Sequence, residues 1–270
     1  MNLSALTESV IQAASSAGSY LKSMTGKLND GMIMSKGQMD FVTDVDKESE
    51  RRLLIDLNKI LPEAGFIAEE GTRTHKGKQY NWIVDPLDGT TNFIHGVSPF
   101  CISIALMDSD ELVAGIVFDP VQEECFSSWL GGSAKLNGKE IHVSRCNQLD
   151  QALVATGFPY TDFSLLEPYM DSLKDLMACT HGIRRLGSAA MDLAYVACGR
   201  YDAFWEYHLK PWDVAAGTVI IRQAGGLASD FYGGSDFLFG ETYVATNGTI
   251  QAEFLNVLAK HFRQNLGDRQ

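Results

Sequence analysis

The stretch at residues 82–92 reads Trp82-Ile83-Val84-Asp85-Pro86-Leu87-Asp88-Gly89-Thr90-Thr91-Asn92. Apolar, β-prone residues lead into Asp85, and Pro86 predicts that the strand ends there. A tight turn would then place the carboxylates of Asp85 and Asp88 on one side, next to free backbone N–H groups. Carboxylates and a backbone carbonyl are ligands that Mg²⁺ prefers, and the N–H groups suit a phosphate. The alternative is an ordinary turn, since Asp, Pro, Gly and Asn are common turn residues.

The composition is that of an acidic globular protein. Its 270 residues include 22 Lys and Arg against 34 Asp and Glu, a net charge of −12, and 45% are apolar, enough for a large core. The negative charge disfavours nucleic acid and anionic membranes as direct partners. It would also repel a phosphorylated substrate unless bound cations reverse the local field, so phosphate chemistry here predicts a metal.

The cysteines and the N-terminus indicate a cellular compartment. The five cysteines are widely spaced, odd in number and without a CxxC pair, which predicts buried free thiols in a reducing environment. The first residues lack a basic segment followed by an unbroken apolar one, and no apolar run reaches the length of a membrane span. We therefore expect a cytoplasmic protein.

Hydrophobic periodicity predicts the first elements. Apolar residues from Leu3 to Met24 recur at helical spacing, and a glycine- and methionine-bearing segment from 26 to 39 is expected to be a mobile loop. Thr43 and Asp46 fit a capping box for a second helix that Pro62 stops. A short strand at 66–68 then ends at Glu69.

The remainder is predicted as strands joined by turns, followed by an alternation of strands and helices. Strands are expected at 102–107, 112–118, 125–129, 153–156, 183–186, 201–206, 227–230 and 243–245. Helices are expected at 188–198, 214–224 and 250–262, and Asn137-Gly138 is a type I′ hairpin signal. The antiparallel run argues against a Rossmann-type repeat.

Other acidic residues are candidates to complete a metal site. Glu69 follows a strand, and Asp213 precedes an Ala- and Val-rich helix. Each has a simpler interpretation: Asp213 as a helix cap, Asp46 as half of a capping box, and Glu69 as surface charge. Arg184 and Arg185, together with His181, are similarly ambiguous between a phosphate or subunit contact and salt-bridged strand-edge charges.

Two motifs carry a family resemblance. Residues 85–92 resemble the D-P-[IL]-D-G-T-x-N motif of the inositol monophosphatase family, and residues 212–217 (Trp-Asp-Val-Ala-Ala-Gly) resemble its W-D-x-A-A-G motif. Residues 40–46 and the Glu69-Glu70 pair match further landmarks of that family, in order, so the resemblance covers nearly the whole chain. It implies an α/β layered sandwich (αβαβα) with a mostly antiparallel first sheet and a mixed second sheet, and a homodimer.

The resemblance also implies roles for individual residues. The Mg²⁺ ligands would be Glu69, Asp85, the carbonyl of Leu87, Asp88 and Asp213. The catalytic group that orients and deprotonates water would be Thr90 with Asp46 and Glu69. Contacts to the substrate would come from Asp88, Gly89, Thr90, Thr91, Gly187, Ser188, Ala189, Glu206 and Asp213. Lys36 would lie on a flap loop near the metals.

Most of these ligands fall in an N-terminal subdomain, 1–147, with the remaining substrate contacts and the last ligand in 148–270. The implied activity is Mg²⁺-dependent hydrolysis of a small phosphate monoester by water, with two or three Mg²⁺ ions, lithium sensitivity and myo-inositol 1-phosphate as leading substrate. Fructose 1,6-bisphosphate, histidinol phosphate, adenosine 3′,5′-bisphosphate and NADP are alternatives. A rival interpretation is a regulatory protein that acts through protein partners in RNA synthesis.

Overall fold

The structure is a computed structural model that describes residues 1–28, 30–37, 40–71 and 75–262, without the side chains of residues 30 and 35–42. It contains helices of very different lengths, two sheets and a small hairpin. The α-helices are α1 (Leu3–Met24), α2 (Asp44–Ile60), α3 (Thr90–Ile94), α4 (Leu166–Cys179), α5 (Ala189–Ala197), α6 (Pro211–Gln223) and α7 (Gln251–Phe262). Short 3₁₀ helices span Asp30–Met32 and Leu149–Gln151.

The hairpin and the first sheet come from the N-terminal half. The hairpin pairs β1 (Ile33–Gly37) with β2 (Asp40–Thr43). The first sheet has seven strands in sequential order: β3 (Gly65–Ala68), β4 (Tyr80–Asp88), β5 (Cys101–Asp108), β6 (Glu111–Asp119), β7 (Glu124–Trp129), β8 (Lys135–Leu136) and β9 (Lys139–Glu140). Only the β3–β4 pair is parallel in this sheet, so the predicted mostly antiparallel arrangement is confirmed.

The second sheet has five strands in the order β11-β10-β12-β14-β13. Its strands are β10 (Leu153–Thr156), β11 (Gly182–Arg184), β12 (Ala203–Tyr207), β13 (Leu227–Ser229) and β14 (Thr242–Thr246). β10 pairs in parallel with β11 and β12, whereas β14 pairs antiparallel with β12 and β13. The predicted mixed second sheet is therefore confirmed.

Three apolar clusters define five layers. Side chains of α1 and α2 pack on one face of the first sheet. Helices α5 and α6 supply a large part of the cluster between the two sheets. Helices α4 and α7 cover the outer face of the second sheet. This is the expected αβαβα sandwich, and the central helical layer is where both halves of the chain meet. The division at residue 147 stays a prediction.

Local signals set several boundaries correctly. Thr43 is the N-cap of α2, and its side chain accepts hydrogen bonds from the N–H groups of Val45 and Asp46 while its own N–H donates to Asp46, so the capping box is confirmed. Asn137 and Gly138 both have positive φ, 49° and 77°, as a type I′ turn between β8 and β9 requires.

Other expectations are wrong. The segment 26–39 was expected to be a loop, but residues 33–37 form strand β1, because its backbone finds a partner in β2 that the composition of the segment does not reveal. Helices α3 and α4 were not predicted. All five cysteines are free, yet only Cys101 is fully buried. No helix in the described ranges is both long and apolar enough to cross a membrane.

Candidate active site

The sequence predicts that strand β4 ends at Asp85, but the strand continues to Asp88 through a bulge. Asp85 pairs with Ser103 of β5 and Asp88 with Cys101, so the register shifts between them. A bulge accommodates Pro86, which has no N–H for the ladder. The chain then turns at Gly89, whose φ of +94° is left-handed, and enters α3. The bulge and the glycine together direct both carboxylates toward one cavity.

Thr90 connects this turn to α2. Its hydroxyl lies 2.9 Å from Oδ1 of Asp46 and 3.0 Å from the carbonyl oxygen of Leu87, and it is the donor to both. Asp46 is fully buried and accepts a further hydrogen bond, of 2.8 Å, from the Thr43 N–H. Burial nevertheless raises the pKa of Asp46, partly offset by these hydrogen bonds. The predicted Thr90–Asp46 pair is thus formed.

Asp88 joins the two halves of the molecule. Its Oδ2 accepts hydrogen bonds of 2.7 Å from the Ser188 hydroxyl and 2.7 Å from the Ala190 N–H. Ser188 is the N-cap of α5, so the first turn of that helix points at the carboxylate. Asn92 reinforces the junction by donating to the carbonyl of Leu186 at 2.9 Å.

The remaining acidic residues of the predicted metal site come from other elements. Glu69 directly follows β3, and its N–H donates to the carbonyl of Val84 at 3.2 Å. Asp213 lies in the first turn of α6 and accepts a 2.7 Å hydrogen bond from the Lys210 N–H. It was expected to precede the helix, but Pro211 starts α6 two residues earlier because proline is well suited to a first helical position.

These residues surround one cavity of about 420 Å³. The predicted site residues that line it are Glu69, Asp85, Leu87, Asp88, Gly89, Thr90, Thr91, Gly187, Ser188, Ala189, Glu206 and Asp213. Asp46 stands behind Thr90. Lys36 lies in β1, but its side chain is outside the described part of the structure, so its flap role stays a prediction. The structure brings the other residues together, and their roles are taken up below.

The carboxylates raise one another's pKa values. Burial is the main cause for Asp85, whose pKa lies well above its ordinary value, and the charges of Glu69, Asp88 and Asp213 add to it. Burial and the Asp88 charge raise the pKa of Asp213 in the same way. For Asp88, hydrogen bonds from Ser188 and Ala190 partly offset the effect of burial on the pKa. Such a cluster is costly without a positive charge among its members.

The donor chemistry fits a hard cation. The cavity presents carboxylate oxygens and the Leu87 carbonyl, which is the ligand set that Mg²⁺ prefers. Among the residues that the structure describes, no three His, Cys, Asp or Glu side chains form a ready-made metal-binding group. Instead, oxygens of Asp85, Asp88 and Asp213 accept protein hydrogen bonds.

The other end of the cavity is built around Glu206. Its carboxylate lies directly against Gly157, where an added Cβ would be 2.0 Å from Oε2 and 2.1 Å from Oε1. Burial raises the pKa of Glu206 to about 8, with Arg185 opposing the shift and Asp88 adding to it. The Arg185 guanidinium lies 5.7 Å from the centre of the Phe158 ring. Glycine at 157 therefore leaves the space that the carboxylate occupies.

Several cavity residues were not predicted as site residues. They are Gly157, Phe158, Pro159, Tyr160, Asp192 and Leu209, whereas for Arg185 the sequence allowed a phosphate contact as one of two alternatives. The signal for Asp192 was present, since it is the only charged residue in the apolar run of α5, Ala189–Ala197. The loop after β10 gave no comparable signal, because an aromatic-proline sequence is equally typical of a surface turn. Arg184 and His181, grouped with Arg185 in the sequence, do not line the cavity.

Comparison with known proteins places the chain in a family. The model of the inositol monophosphatase family matches residues 2–266. The chain belongs to the inositol monophosphatase family. Among solved structures, the extragenic suppressor protein suhB of Bartonella henselae has a TM-score of 0.90 at 38% identity, covering 95% of this chain and 99% of that one. An IMPase of Thermotoga maritima has a TM-score of 0.85 at 33% identity, covering 94% and 96%.

Curated relatives in the inositol monophosphatase family bear two kinds of name. The Nus factor SuhB of Pseudomonas aeruginosa is 41% identical over 261 residues, 95% of this chain and 96% of that protein. The inositol-1-monophosphatase of Mesorhizobium japonicum is 40% identical over 261 residues, 96% and 98%. The two are equally similar to this chain, so similarity alone does not choose between the names.

Proposed function

We propose that the protein is a Mg²⁺-dependent phosphate monoester hydrolase, with myo-inositol 1-phosphate as leading substrate. One observation carries the proposal: Glu69, Asp85, Asp88 and Asp213 line one cavity together with Thr90, which is hydrogen-bonded to Asp46, and the first turn of α5. A buried cluster of like charges is a common feature of functional sites, because structural roles rarely require it. Family membership supports the same reaction class.

Glu69, Asp85, the Leu87 carbonyl, Asp88 and Asp213 would hold the metal. Bound Mg²⁺ would neutralise phosphate oxygens and lower the pKa of a bound water. The carboxylates of the chain would fix the position of the cation, and their negative charge would balance its positive charge. Ser188 and the Ala190 N–H hold Asp88 in one orientation by their two hydrogen bonds, which limits rearrangement of the site.

Thr90 would orient the attacking water. Its single hydroxyl proton is shared between Asp46 and the Leu87 carbonyl, so the oxygen is left to accept a hydrogen bond from the cavity. A water that donates to Thr90 would turn a lone pair toward phosphorus. Glu69 lines the same cavity and would take up the proton that the water releases.

The phosphate would rest on backbone N–H groups. Gly89 precedes α3 in a left-handed conformation, and a Cβ there would meet the carbonyl oxygens of Pro99 at 3.2 Å and Gly187 at 3.3 Å. The site therefore closes around this turn. Thr91, Ser188 and Ala189 also line the cavity, and the positive end of α5 favours an anion.

The alcohol part of the substrate would lie toward Glu206 and Arg185. A carboxylate accepts hydrogen bonds from hydroxyl groups and a guanidinium donates to them, which suits a polyol such as myo-inositol. The same groups leave fructose 1,6-bisphosphate, histidinol phosphate, adenosine 3′,5′-bisphosphate and NADP as alternatives, because the metal side of the cavity is common to all of them.

A second function is favoured by the names of the SuhB relatives. The chain would then act through protein partners in RNA synthesis, as the name Nus factor implies for the Pseudomonas aeruginosa protein. The two functions are compatible, since a partner surface need not use the cavity. They separate in an Asp88→Asn variant, which should lose hydrolysis and keep partner-dependent growth functions.

The test is phosphate release by the purified protein with and without Mg²⁺. The substrates are myo-inositol 1-phosphate and the four alternatives, and Asp88→Asn is the control. We expect one substrate to exceed the others by roughly a hundredfold in kcat/KM. Mg²⁺-independent release, or equal rates with Asp88→Asn, would contradict the proposal. Release of phosphate from none of the five substrates would favour the partner-binding function.

A further inference from the structure

Asp192 is a buried carboxylate whose Oδ1 has no hydrogen-bond partner. It lies in the first turn of α5, lines the cavity and is 1% exposed. Of the buried side-chain oxygens and nitrogens that line the cavity, its Oδ1 is the only one without a partner in the described part of the chain. An unpaired buried oxygen costs folding free energy, so its presence calls for a reason.

The neighbouring carboxylates show the contrast. Asp85 accepts from the Leu87 N–H, and Asp213 from the Lys210 N–H. Asp88 accepts hydrogen bonds from the Ser188 hydroxyl and from the Ala190 N–H of α5. These three are held by protein donors and keep other oxygen atoms for a ligand. Asp192 receives no such support at Oδ1, although it is at the wall of the same cavity.

The surroundings of Asp192 belong to the alcohol end of the cavity. Glu206, Arg185 and Asp88 line the same cavity as Asp192. None of these three makes a hydrogen bond to Asp192 in the described residues. Two carboxyl groups and one guanidinium facing the same space match a ligand with several hydroxyl groups, since each hydroxyl both donates and accepts.

We propose that Asp192 is a specificity-determining residue whose side-chain carboxyl group accepts a hydrogen bond from a hydroxyl group of the substrate's alcohol part. The site would thereby select phosphorylated polyols over phosphate esters whose alcohol lacks further hydroxyl groups. This inference rests on the proposed phosphatase function and adds a substrate contact to it. The bound hydroxyl would supply the partner that the protein does not.

The contact should be visible as substrate discrimination. A buried group built to pair with a substrate hydroxyl rejects an analogue that lacks it, because the group is then left unpaired. The test pair is myo-inositol 1-phosphate and cyclohexyl phosphate, which share the ring and the phosphate and differ in the hydroxyl groups. We expect Asp192→Leu, which keeps the branching and removes both oxygens, to lower the ratio of the two kcat/KM values by roughly 10- to 100-fold.

A conservative variant separates contact from shape. Asp192→Asn keeps an acceptor oxygen at nearly the same volume, so it should retain more of the ratio than Asp192→Leu does. Thermal unfolding without metal separates the two roles, because a structural role for Asp192 predicts that the Tm of Asp192→Leu falls. Because no protein donor is lost at Oδ1, the Tm of Asp192→Leu should not fall. Asp119→Leu is the matched control, since Asp119 is equally buried but accepts from the Val121 and Gln122 N–H groups, and its Tm should fall.

The outcomes are distinct. An unchanged ratio in Asp192→Leu and Asp192→Asn would overturn the inference while leaving the phosphatase function intact. An equal loss for both esters together with a lower Tm would also overturn it, in favour of a structural role. Failure of the wild-type protein to hydrolyse either ester with Mg²⁺ would remove this inference, and failure with the four alternative substrates as well would remove the proposed function.

Discussion

The hydroxyl of Thr90 donates a 2.9 Å hydrogen bond to Oδ1 of Asp46, a residue 44 positions earlier in the chain. The same carboxylate closes the capping box at the start of α2 by accepting from the Thr43 N–H. One buried side chain therefore fixes both the beginning of a helix and the orientation of a cavity hydroxyl. The capping-box interpretation of Asp46 does not exclude the proposed catalytic one, because the same carboxylate accepts both hydrogen bonds.

Thr90→Val should reduce turnover without weakening substrate binding. The variant keeps the shape of the side chain and removes the hydroxyl that would orient water, so kcat should fall by roughly 10²- to 10⁴-fold with little change in KM. Phosphate release from myo-inositol 1-phosphate measures it. Thr7→Val is the control, since Thr7 on α1 is also buried and its hydroxyl has no partner in the described residues. Equal kcat values for Thr90→Val and wild type would contradict the role.

Ser188→Ala should weaken Mg²⁺ binding as well as stability. Ser188 caps α5 by accepting from the Met191 N–H, and it also donates to Asp88. Loss of the cap should cost about 1 kcal/mol of unfolding free energy. Loss of the Asp88 contact should weaken Mg²⁺ affinity by roughly 10-fold or more. Urea unfolding and calorimetric Mg²⁺ titration measure the two effects.

The matched control for that variant is Asn2→Ala. Asn2 caps α1 by accepting from the Ala5 N–H and does not line the cavity. It should lose a similar cap energy and keep full Mg²⁺ affinity. If both variants lost Mg²⁺ affinity to the same extent, the effect would be one of general stability and the assignment of Asp88 would lose its support.

Gly157→Ala should redirect Glu206 while the protein still folds. The new methyl group would meet the end of a flexible side chain, not the backbone, so the carboxylate must move. We expect kcat/KM for myo-inositol 1-phosphate to fall by roughly 10-fold, the effect of one lost polar contact. Gly182→Ala in β11 is the control, because its nearest neighbours would be at 3.5 and 3.6 Å, ordinary contact distances. Wild-type kinetics in Gly157→Ala would rule out a substrate contact by Glu206.

The stability of the metal-free protein should fall as pH rises. Burial raises the pKa of Glu206 from 4.5 to about 8, so the folded protein holds a proton between these values that the unfolded chain has released. Unfolding then releases a proton, and the free energy of unfolding decreases through this window by up to about 1.4 kcal/mol per pH unit for this group. Below pH 4.5 both states are protonated and the contribution is absent.

Glu206→Gln should remove that contribution. Its stability relative to wild type should increase from pH 5 to pH 8 in urea unfolding with a chelator present. Glu253→Gln, at an exposed position of α7, should follow the wild-type pH profile. Parallel profiles for Glu206→Gln and wild type would show that the buried carboxyl group does not hold its proton in the folded protein.

The periodic spacing of apolar residues and the local turn chemistry made much of the fold predictable. Helix α1 follows its apolar spacing from Leu3 to Met24, and β10 spans the predicted residues 153–156. Helix α4 was missed because only Tyr169, Ser172 and Leu176 of its 14 residues are buried, which leaves a weak apolar stripe. Strand β1 was missed because it is stabilised by pairing with β2, and the residues of β1 alone do not indicate that pairing.

The site was predictable where residues lie in motifs and not elsewhere. Residues 85–90 and Asp213 stand in short patterns whose chemistry is local. Gly157 and Asp192 become part of the site only through packing: one leaves space for Glu206, and the other is one turn along α5 from its N-cap. The apolar neighbours of Asp192 indicate that it is buried, but not that it lines a cavity, because that depends on how α5 lies between two sheets.

The hydrogen bonds from α5 to Asp88 have a consequence for biosynthesis. During translation Asp88 leaves the ribosome a hundred residues before Ser188, and Asp213 follows later still. A nascent chain of the first half would carry acidic groups with no helix to organise them and without Asp213. The proposed activity would therefore require the finished polypeptide, and its recovery after dilution from denaturant should report the docking of α5 and α6 rather than the formation of the first sheet.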